Sequence, residues 1–147
     1  MFRPEKIIVH HSATKDSGTV SWGAIRRYHM ETNGWSDIGY HAGVELVGDQ
    51  YEVMLGRALD VPGAHTVGQN FRSLGVCFVG DFDAQEPTQK LLEVAAFRVL
   101  APWCKKFDIP IDAIVGHRDF APKTCPGKLF SIERLREAVR KELDKLV

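Results

Sequence analysis

Apolar residues along the chain fall into short runs and longer stripes, a pattern that predicts alternating strands and helices. Residues 7–9 form a β-branched run and residues 74–80 a second apolar run, each typical of a strand buried on both faces. Residues 40–47 and 51–55 flank a Gly-Asp-Gln turn and predict a hairpin, while residues 113–115 predict a short last strand. The pattern therefore predicts a sheet of about five strands.

Three segments predict the main helices. Residues 87–103 give the strongest helical pattern, and residues 132–146 carry one apolar stripe among charged positions. A shorter helix is predicted from an N-cap at Ser21 to about residue 32, where an Asn-Gly pair ends it. The order β, α, β, β, β, α, β, α predicts an α/β fold, with one domain over residues 1–147 and a mixed central sheet flanked by three main helices.

Composition and charge narrow the class of protein. The chain has 147 residues, of which 44% are hydrophobic and 26% charged, as in soluble globular domains. Nineteen basic residues balance nineteen acidic residues, which argues against a general electrostatic affinity for nucleic acid or membrane. The first residues lack the apolar stretch of a signal peptide, and no apolar run approaches a membrane span, so we expect synthesis in the cytoplasm.

Two histidines directly follow predicted buried strands. His10 follows residues 7–9 and His117 follows the last predicted strand, so adjacent strands would bring them together. Cys125 lies eight residues after His117, in a loop that can fold back to the same point. Two imidazoles and a thiolate suit zinc and leave a fourth position for water, as in catalytic zinc sites. Hydrogen-bonded strand-end histidines and a small buried cysteine would explain the same spacing, and spacing alone does not decide between these interpretations.

Four motifs decide between them. They are VHHSAT at residues 9–14, GYH at 39–41, GVCFVG at 75–80 and GHRDFAPKTCPG at 116–127. Together they resemble the zinc-dependent N-acetylmuramoyl-L-alanine amidases, a family that includes small phage endolysins and the peptidoglycan recognition proteins. The resemblance covers residues 6–127 in one order, and its last motif is highly specific. It favours the metal site.

The resemblance implies roles for five residues and one catalytic Zn²⁺ ion. His10, His117 and Cys125 match the zinc ligands of the family. Tyr40 matches a tyrosine beside the metal, where it would orient the water or pass a proton to the leaving amine. Lys123 matches a lysine that faces the scissile carbonyl and would stabilise the oxyanion. One branch of the family has Asp and Glu where this chain has Cys125 and Tyr40, so the chain resembles the endolysin and recognition-protein branch.

The other histidines are assigned less specifically. His65 and Asn70, in the long loop before the second buried strand, match positions that contact the peptide stem in related proteins, which is a looser correspondence. His41 is expected either to contact substrate or to support a neighbouring site residue. His11 points away from the face of His10 and is predicted to be packed or solvent-facing, and His29 is predicted to be a core histidine.

The remaining candidates have simpler explanations. Cys77 and Cys104 are predicted to be core thiols, and an odd set of three cysteines argues against a disulfide framework. Trp35 is assigned to aromatic core in preference to a ligand groove. Ser12 and Lys15 fit the S-x-x-K motif of serine acyl enzymes, but the accompanying S-D-N and K-T-G elements each fail at their last residue. We therefore interpret that motif as a coincidence.

The function implied by the resemblance is hydrolysis of the amide bond between N-acetylmuramic acid and L-alanine in peptidoglycan. The expected protein is a monomeric phage or prophage endolysin that acts on the cell wall, in the periplasm, after release. Its partner is peptidoglycan or muropeptide, with no nucleic acid and no membrane. Two alternatives are a cytosolic muropeptide-recycling amidase and a non-hydrolytic peptidoglycan-binding module. Sensors of this family commonly lack the zinc-binding cysteine, so Cys125 favours an enzyme.

Overall fold

A five-stranded mixed sheet forms the centre of the computed structural model, which describes residues 1–14 and 21–146. The strands are β1 (Lys6–His11), β2 (Ala42–Val47), β3 (Gln50–Leu55), β4 (Ser73–Phe78) and β5 (Ile114–Gly116). Their order across the sheet is β3-β2-β4-β1-β5, with β2 and β3 antiparallel and the other neighbours parallel. The predicted mixed sheet is confirmed. Lys15 of the S-x-x-K pair lies outside the described residues.

Three helical stretches accompany the sheet, as predicted. The first is α1 (Trp22–Arg27), continued by a π-helical segment (Tyr28–Thr32); the second is α2 (Gln89–Ala95), a π-helical segment (Ala96–Leu100) and α3 (Ala101–Phe107); the third is α4 (Ile132–Asp144). Thr88 caps α2 by accepting the N–H of Leu91 at 3.1 Å, and Ser131 caps α4 in the same way. Within the described ranges, no helix combines the length and apolarity needed to cross a bilayer.

Ser21 is the N-cap residue of the first helix, as predicted, but its side chain makes no capping hydrogen bond to the helix. The carboxylate of Glu45 on β2 instead accepts the backbone N–H of Ser21 and, at 3.2 Å, that of Trp22. Glu45 is fully buried. Unpaired amides and the helix dipole at an N-terminus stabilise an anionic group placed there. Glu45 therefore ties α1 to the sheet.

The two faces of the sheet have different coverings. Ile7 and Val9 of β1 point into the main core, which α2, α3 and α4 complete. Because side chains alternate along a strand, His10 points to the opposite face, and Cys77 of β4 is its partner across the ladder. On that second face β4 also carries Gly75, where a Cβ atom would lie 2.7 Å from the ring of His65. The second face therefore admits imidazole rings close to the backbone.

The first strand is longer than its apolar run predicts. The parallel ladder between β1 and β4 continues through the pairs His10–Cys77 and His11–Phe78. The sequence predicts His10 directly after the strand, but His10 lies within β1. The position matters because the hydrogen bonds of the ladder with β4 fix the backbone of His10, whereas a loop residue lacks such bonds.

Candidate metal centre

Three elements bring His10, His117 and Cys125 to one point. His10 lies on β1, His117 opens the 3₁₀ turn His117–Asp119 directly after β5, and Cys125 lies in the loop that follows. One nitrogen of each imidazole and the thiol sulfur all lie within 4.8 Å of one another. The Nδ1 atom of His10 is 3.9 Å from the Sγ atom of Cys125, and the ring centroids of His10 and His117 are 4.6 Å apart. The three predicted ligands thus form a possible metal site.

Hydrogen bonds to its carbonyl and to its sulfur hold Cys125 in place within its loop. Its carbonyl accepts the backbone N–H of Arg118 at 2.8 Å, and its sulfur accepts the N–H of His11 at 3.3 Å. The guanidinium of Arg118 also donates to the carbonyls of Gly127 and Phe130, at 2.8 and 3.1 Å. The hydrogen bond from His11 to the sulfur stabilises the thiolate form of Cys125 and fixes the position of the sulfur. Arg118 therefore organises the loop without contributing a ligand.

Burial sets the protonation states in the cluster. The pKa of His10 is well below 6.5, first because of burial and then because of His65 and His117 nearby. Burial, with Lys123 as the second cause, also lowers the pKa of His117. Both imidazoles are neutral at neutral pH and have a lone pair available for a metal. Burial raises the pKa of the Cys125 thiol, so its deprotonation would accompany binding of a cation.

An open cavity of about 380 Å³ adjoins the three residues. Tyr40 and Lys123 both line it, and their catalytic roles stay predictions. The ring of Tyr40 lies 5.1 Å from that of His10. The pKa of Tyr40 is raised well above 10, mainly by burial, so its phenol is a hydrogen-bond donor at neutral pH. Lys123 is exposed at the cavity wall.

Further residues line the cavity that the sequence does not place there. Among them are His29, Trp35, Asp83 and Thr124. His29 is half-buried, and its Nδ1 accepts the backbone N–H of Gly39 at 2.9 Å, so it combines packing with a place in the wall. Asp83 accepts the hydroxyl of Thr124 at 3.0 Å. None of these residues follows a buried strand at the spacing that identified the ligands, so no signal of that kind was available.

His41 is buried behind the cavity, with both ring nitrogens bonded to the backbone. Its Nδ1 accepts the N–H of Gly75 at 3.0 Å, and its Nε2 donates to the carbonyl of Val61 at 2.8 Å. The side chain is 2% exposed and does not line the cavity. Of the two roles expected for His41, this geometry favours structural support, and contact with substrate stays a prediction.

His65 and Asn70, also predicted to contact substrate, lie in the loop between β3 and β4. His65 lines the cavity, and its Nδ1 is 2.9 Å from the Nε2 of His10. Burial lowers the pKa of His65 to about 3, with His41 and His117 as further causes. The amide oxygen of Asn70 accepts the backbone N–H groups of His65 and Thr66, each at 3.0 Å. The contacts seen are therefore within the protein, and those with substrate stay predictions.

Two neutral imidazoles and a thiol around an open cavity, on an α/β sheet, define a candidate metal-dependent hydrolase, since catalytic zinc sites combine three protein ligands with an open position. Residues 2–128 match the family model described as N-acetylmuramoyl-L-alanine amidase. The chain belongs to the N-acetylmuramoyl-L-alanine amidase family. The family predicted from the four motifs is therefore confirmed.

Similar proteins include a phage endolysin, a peptidoglycan recognition protein and a bacterial amidase. The endolysin of Klebsiella phage KP32 is 36% identical over 131 residues, covering 88% of this chain and 83% of the phage protein. Drosophila PGRP-LB in complex with tracheal cytotoxin superposes with a TM-score of 0.78 at 28% identity, covering 90% of this chain and 80% of that one. The amidase LysC from Clostridium intestinale URNW shares the fold, with a TM-score of 0.79 at 24% identity over 95% of this chain and 87% of its own.

Proposed function

We propose that this protein is a zinc-dependent amidase that hydrolyses the bond between N-acetylmuramic acid and L-alanine in peptidoglycan. The observation that carries the proposal is the meeting of His10, His117 and Cys125 within 4.8 Å beside an open cavity. Membership of the amidase family supports the bond that is cleaved. Similarity to a phage endolysin along most of both chains supports peptidoglycan as the substrate.

The three side chains fit zinc. Zn–N distances of about 2.0–2.1 Å and a Zn–S distance of about 2.3 Å place tetrahedral ligand atoms about 3.3–3.7 Å apart. The separations here, 3.9 Å for one pair and at most 4.8 Å for all, exceed that spacing by at most about 1.5 Å. Two nitrogens and a sulfur suit zinc better than magnesium or calcium, which prefer oxygen. A zinc ion bound by these residues supplies Lewis acidity and lowers the pKa of water to about 7.

The protein's own side chains account for the rest of the reaction. Hydrolysis joins a water oxygen to the amide carbonyl carbon, breaks the C–N bond and delivers a proton to the leaving amine of L-alanine. Lys123, cationic at the cavity wall, stabilises the negative charge that develops on the carbonyl oxygen. Tyr40 donates a hydrogen bond from its phenol inside the cavity and orients the water or the leaving amine. Burial lowers the pKa values of His10 and His117, which favours the neutral form that binds a metal.

The setting proposed for this activity is lysis of the bacterial cell wall by a phage or prophage endolysin, a monomer with one amidase domain. Support comes from the KP32 endolysin, of which the match covers 83%. A cytosolic amidase that recycles muropeptides would use the same site on a smaller substrate. A peptidoglycan-binding module without hydrolysis would need neither the thiolate nor the metal, and the presence of Cys125 therefore favours the enzyme.

Release of peptides from purified peptidoglycan tests the proposal. New L-alanine amino termini are measured on intact sacculi and on soluble muropeptides, with zinc, after chelation and after zinc is restored. We expect release that chelation abolishes and zinc restores, with sacculi as good substrates. Absence of chelator-sensitive release would refute the enzyme. Zinc-free protein that binds muropeptide without cleaving it would identify a binding module, and activity confined to soluble muropeptides would identify a recycling amidase.

A further inference from the structure

A chain of buried polar groups holds the imidazole of His10 on the side away from the ligand cluster. The Nε2 of His10 lies 2.9 Å from the Nδ1 of His65 and 3.3 Å from the hydroxyl of Thr66. The Nε2 of His65 lies 3.5 Å from the hydroxyl of Ser73, which donates to the carbonyl of Gln69 at 2.8 Å. Thr66 and Ser73 are 2% and 0% exposed. These two hydroxyl groups are therefore shielded from solvent, whereas His65 is partly buried at the cavity wall.

The carbonyl at the end of this chain sets the direction of every bond in it. A carbonyl only accepts, so the proton of Ser73 is committed to Gln69, and the Ser73 oxygen accepts from the Nε2–H of His65. A neutral imidazole has one N–H, which makes the Nδ1 of His65 an acceptor. The hydroxyl of Thr66 also lies 3.0 Å from this Nδ1, but two unprotonated nitrogens 2.9 Å apart would repel each other, so His10 donates from Nε2. Its Nδ1 keeps a free lone pair, and this is the atom 3.9 Å from the sulfur of Cys125.

The position of His65 is fixed by its own surroundings as well. Gly75 of β4 has no side chain, and a Cβ there would lie 2.7 Å from the ring of His65, so the ring packs directly on the strand. The amide oxygen of Asn70 accepts the N–H groups of His65 and Thr66 at 3.0 Å each, which fixes the backbone of the turn. Because Gly75 and Asn70 hold His65 in place, its Nδ1 atom can orient the ring of His10.

We propose that His65 is a positioning residue for the metal ligand His10. It holds His10 in the Nε2–H tautomer and in the ring orientation that turns Nδ1 towards the metal position, and Ser73 fixes the direction of the bonds. This inference rests on the proposed metal site and adds a role to a residue that the sequence assigned to substrate binding. Partners of this kind typically contribute a factor of about 10–100 to metal affinity or activity.

Zinc affinity separates positioning from substrate contact. His65→Leu removes the acceptor, and His65→Asn is its matched control because the asparagine amide oxygen can occupy the position of Nδ1. The zinc dissociation constant is measured by competition with a chromophoric chelator. We expect it to rise about 10–100-fold in His65→Leu and to return most of the way to the wild-type value in His65→Asn. KM for peptidoglycan at saturating zinc should stay near the wild-type value. An unchanged zinc dissociation constant with a raised KM would overturn the proposal.

A second measurement needs neither zinc nor hydrolysis. ¹⁵N NMR of the chelated protein reports which nitrogen of His10 carries the proton. We expect the Nε2–H tautomer alone in the wild type and a mixture in His65→Leu; if that variant does not fold, Ser73→Ala should give a mixture at His65. A wild-type His10 protonated at Nδ1 would refute the positioning role. Wild-type protein with the expected tautomer and zinc affinities but no peptide release would refute the amidase alone.

Discussion

The Nδ1 atom of His10 and the Sγ atom of Cys125 lie 3.9 Å apart although 115 positions separate the two residues in the chain. The contact joins the first strand to the loop after the last strand, so it exists only in the folded protein. A cation bound by both residues would therefore stabilise the folded state over the unfolded state. At a zinc concentration about 100 times the dissociation constant, the expected gain is about 2.7 kcal/mol.

Cys125→Ala should lose both the metal and this stabilisation. Removing one of three protein ligands leaves too few to hold zinc at a catalytic site, so metal content should fall from about one ion per chain to near zero. Elemental analysis and thermal unfolding with and without zinc measure the two effects. Cys104→Ala is the control because that thiol is buried in α3, away from the cluster. Zinc retained by Cys125→Ala would remove Cys125 from the ligand set.

Thiol labelling should distinguish the three cysteines. We expect zinc to protect Cys125 from an alkylating reagent and chelation to expose it, since its side chain is partly accessible. Cys77 and Cys104 should stay unlabelled in both conditions until the protein unfolds. Both are buried, and burial raises the pKa of Cys104 to about 11 and that of Cys77 further. Mass spectrometry of the labelled peptides reads the result, and equal labelling of Cys125 with and without zinc would contradict it.

Lys123→Ala should keep the metal but lose most turnover. An oxyanion donor is worth about 3–4 kcal/mol, so kcat should fall about 10²–10³-fold. Lys128→Ala is a matched control, because Lys128 is another exposed lysine of the same loop, and the bond it makes to Asp83 comes from its backbone N–H. Turnover and zinc content are measured on both variants. A rate loss in Lys128→Ala of similar size would show that general charge, and not position, matters.

Tyr40→Phe should lower kcat about 10²-fold or more without reducing zinc content, because only the phenolic hydroxyl is removed from the cavity. The ring contacts with His10 and Trp22 are kept by phenylalanine. Tyr28→Phe serves as the control, since Tyr28 is 58% exposed and does not line this cavity. Unchanged turnover in Tyr40→Phe would assign the tyrosine to packing alone.

The meeting of His10 and His117 could be predicted because its signals are local. His10 and His117 each follow a short β-branched run, and neighbouring strands of one sheet bring such positions together whatever the rest of the fold does. The exact position of His10 could not be predicted, because its place inside β1 depends on the ladder with Cys77, a residue far away in the sequence. Apolar runs indicate where a strand is buried, and pairing decides where it ends.

Long-range polar bonds account for the other differences. Ser21 occupies the N-cap position as its local pattern predicts, but the carboxylate that accepts the first N–H groups belongs to Glu45, on a strand that the sequence does not connect to α1. The same holds for His41 and His65, whose partners are backbone and side-chain groups of other elements. Residue type and spacing identify a histidine as a candidate, whereas only the fold tells what its two nitrogens contact.

His41 should make the stability of the protein depend on pH. The pKa of His41 is lowered below 6.5, mainly by burial. The bond to the carbonyl of Val61 opposes this shift, and the positive charge of Arg57 adds to it. Below pH 6.5 the unfolded chain therefore binds a proton that the folded chain excludes, so stability is full above that pH and is lost as the pH falls. Protonation would also place an N–H opposite the N–H of Gly75.

The free energy of unfolding in urea, measured with chelator at about pH 7.5 and about pH 5, tests this contribution. His41→Asn keeps an acceptor for the N–H of Gly75 but does not titrate in this range. The wild type should lose more stability on acidification than the variant, by up to about 1.4 kcal/mol for each pH unit below the pKa of the unfolded chain. His65, whose ring centroid is 6.1 Å away, has a pKa of about 3 that burial sets first and His41 second, so it stays neutral in the folded wild type at both pH values and the comparison reports mainly on His41. Equal losses would mean that His41 takes up its proton without breaking either backbone bond.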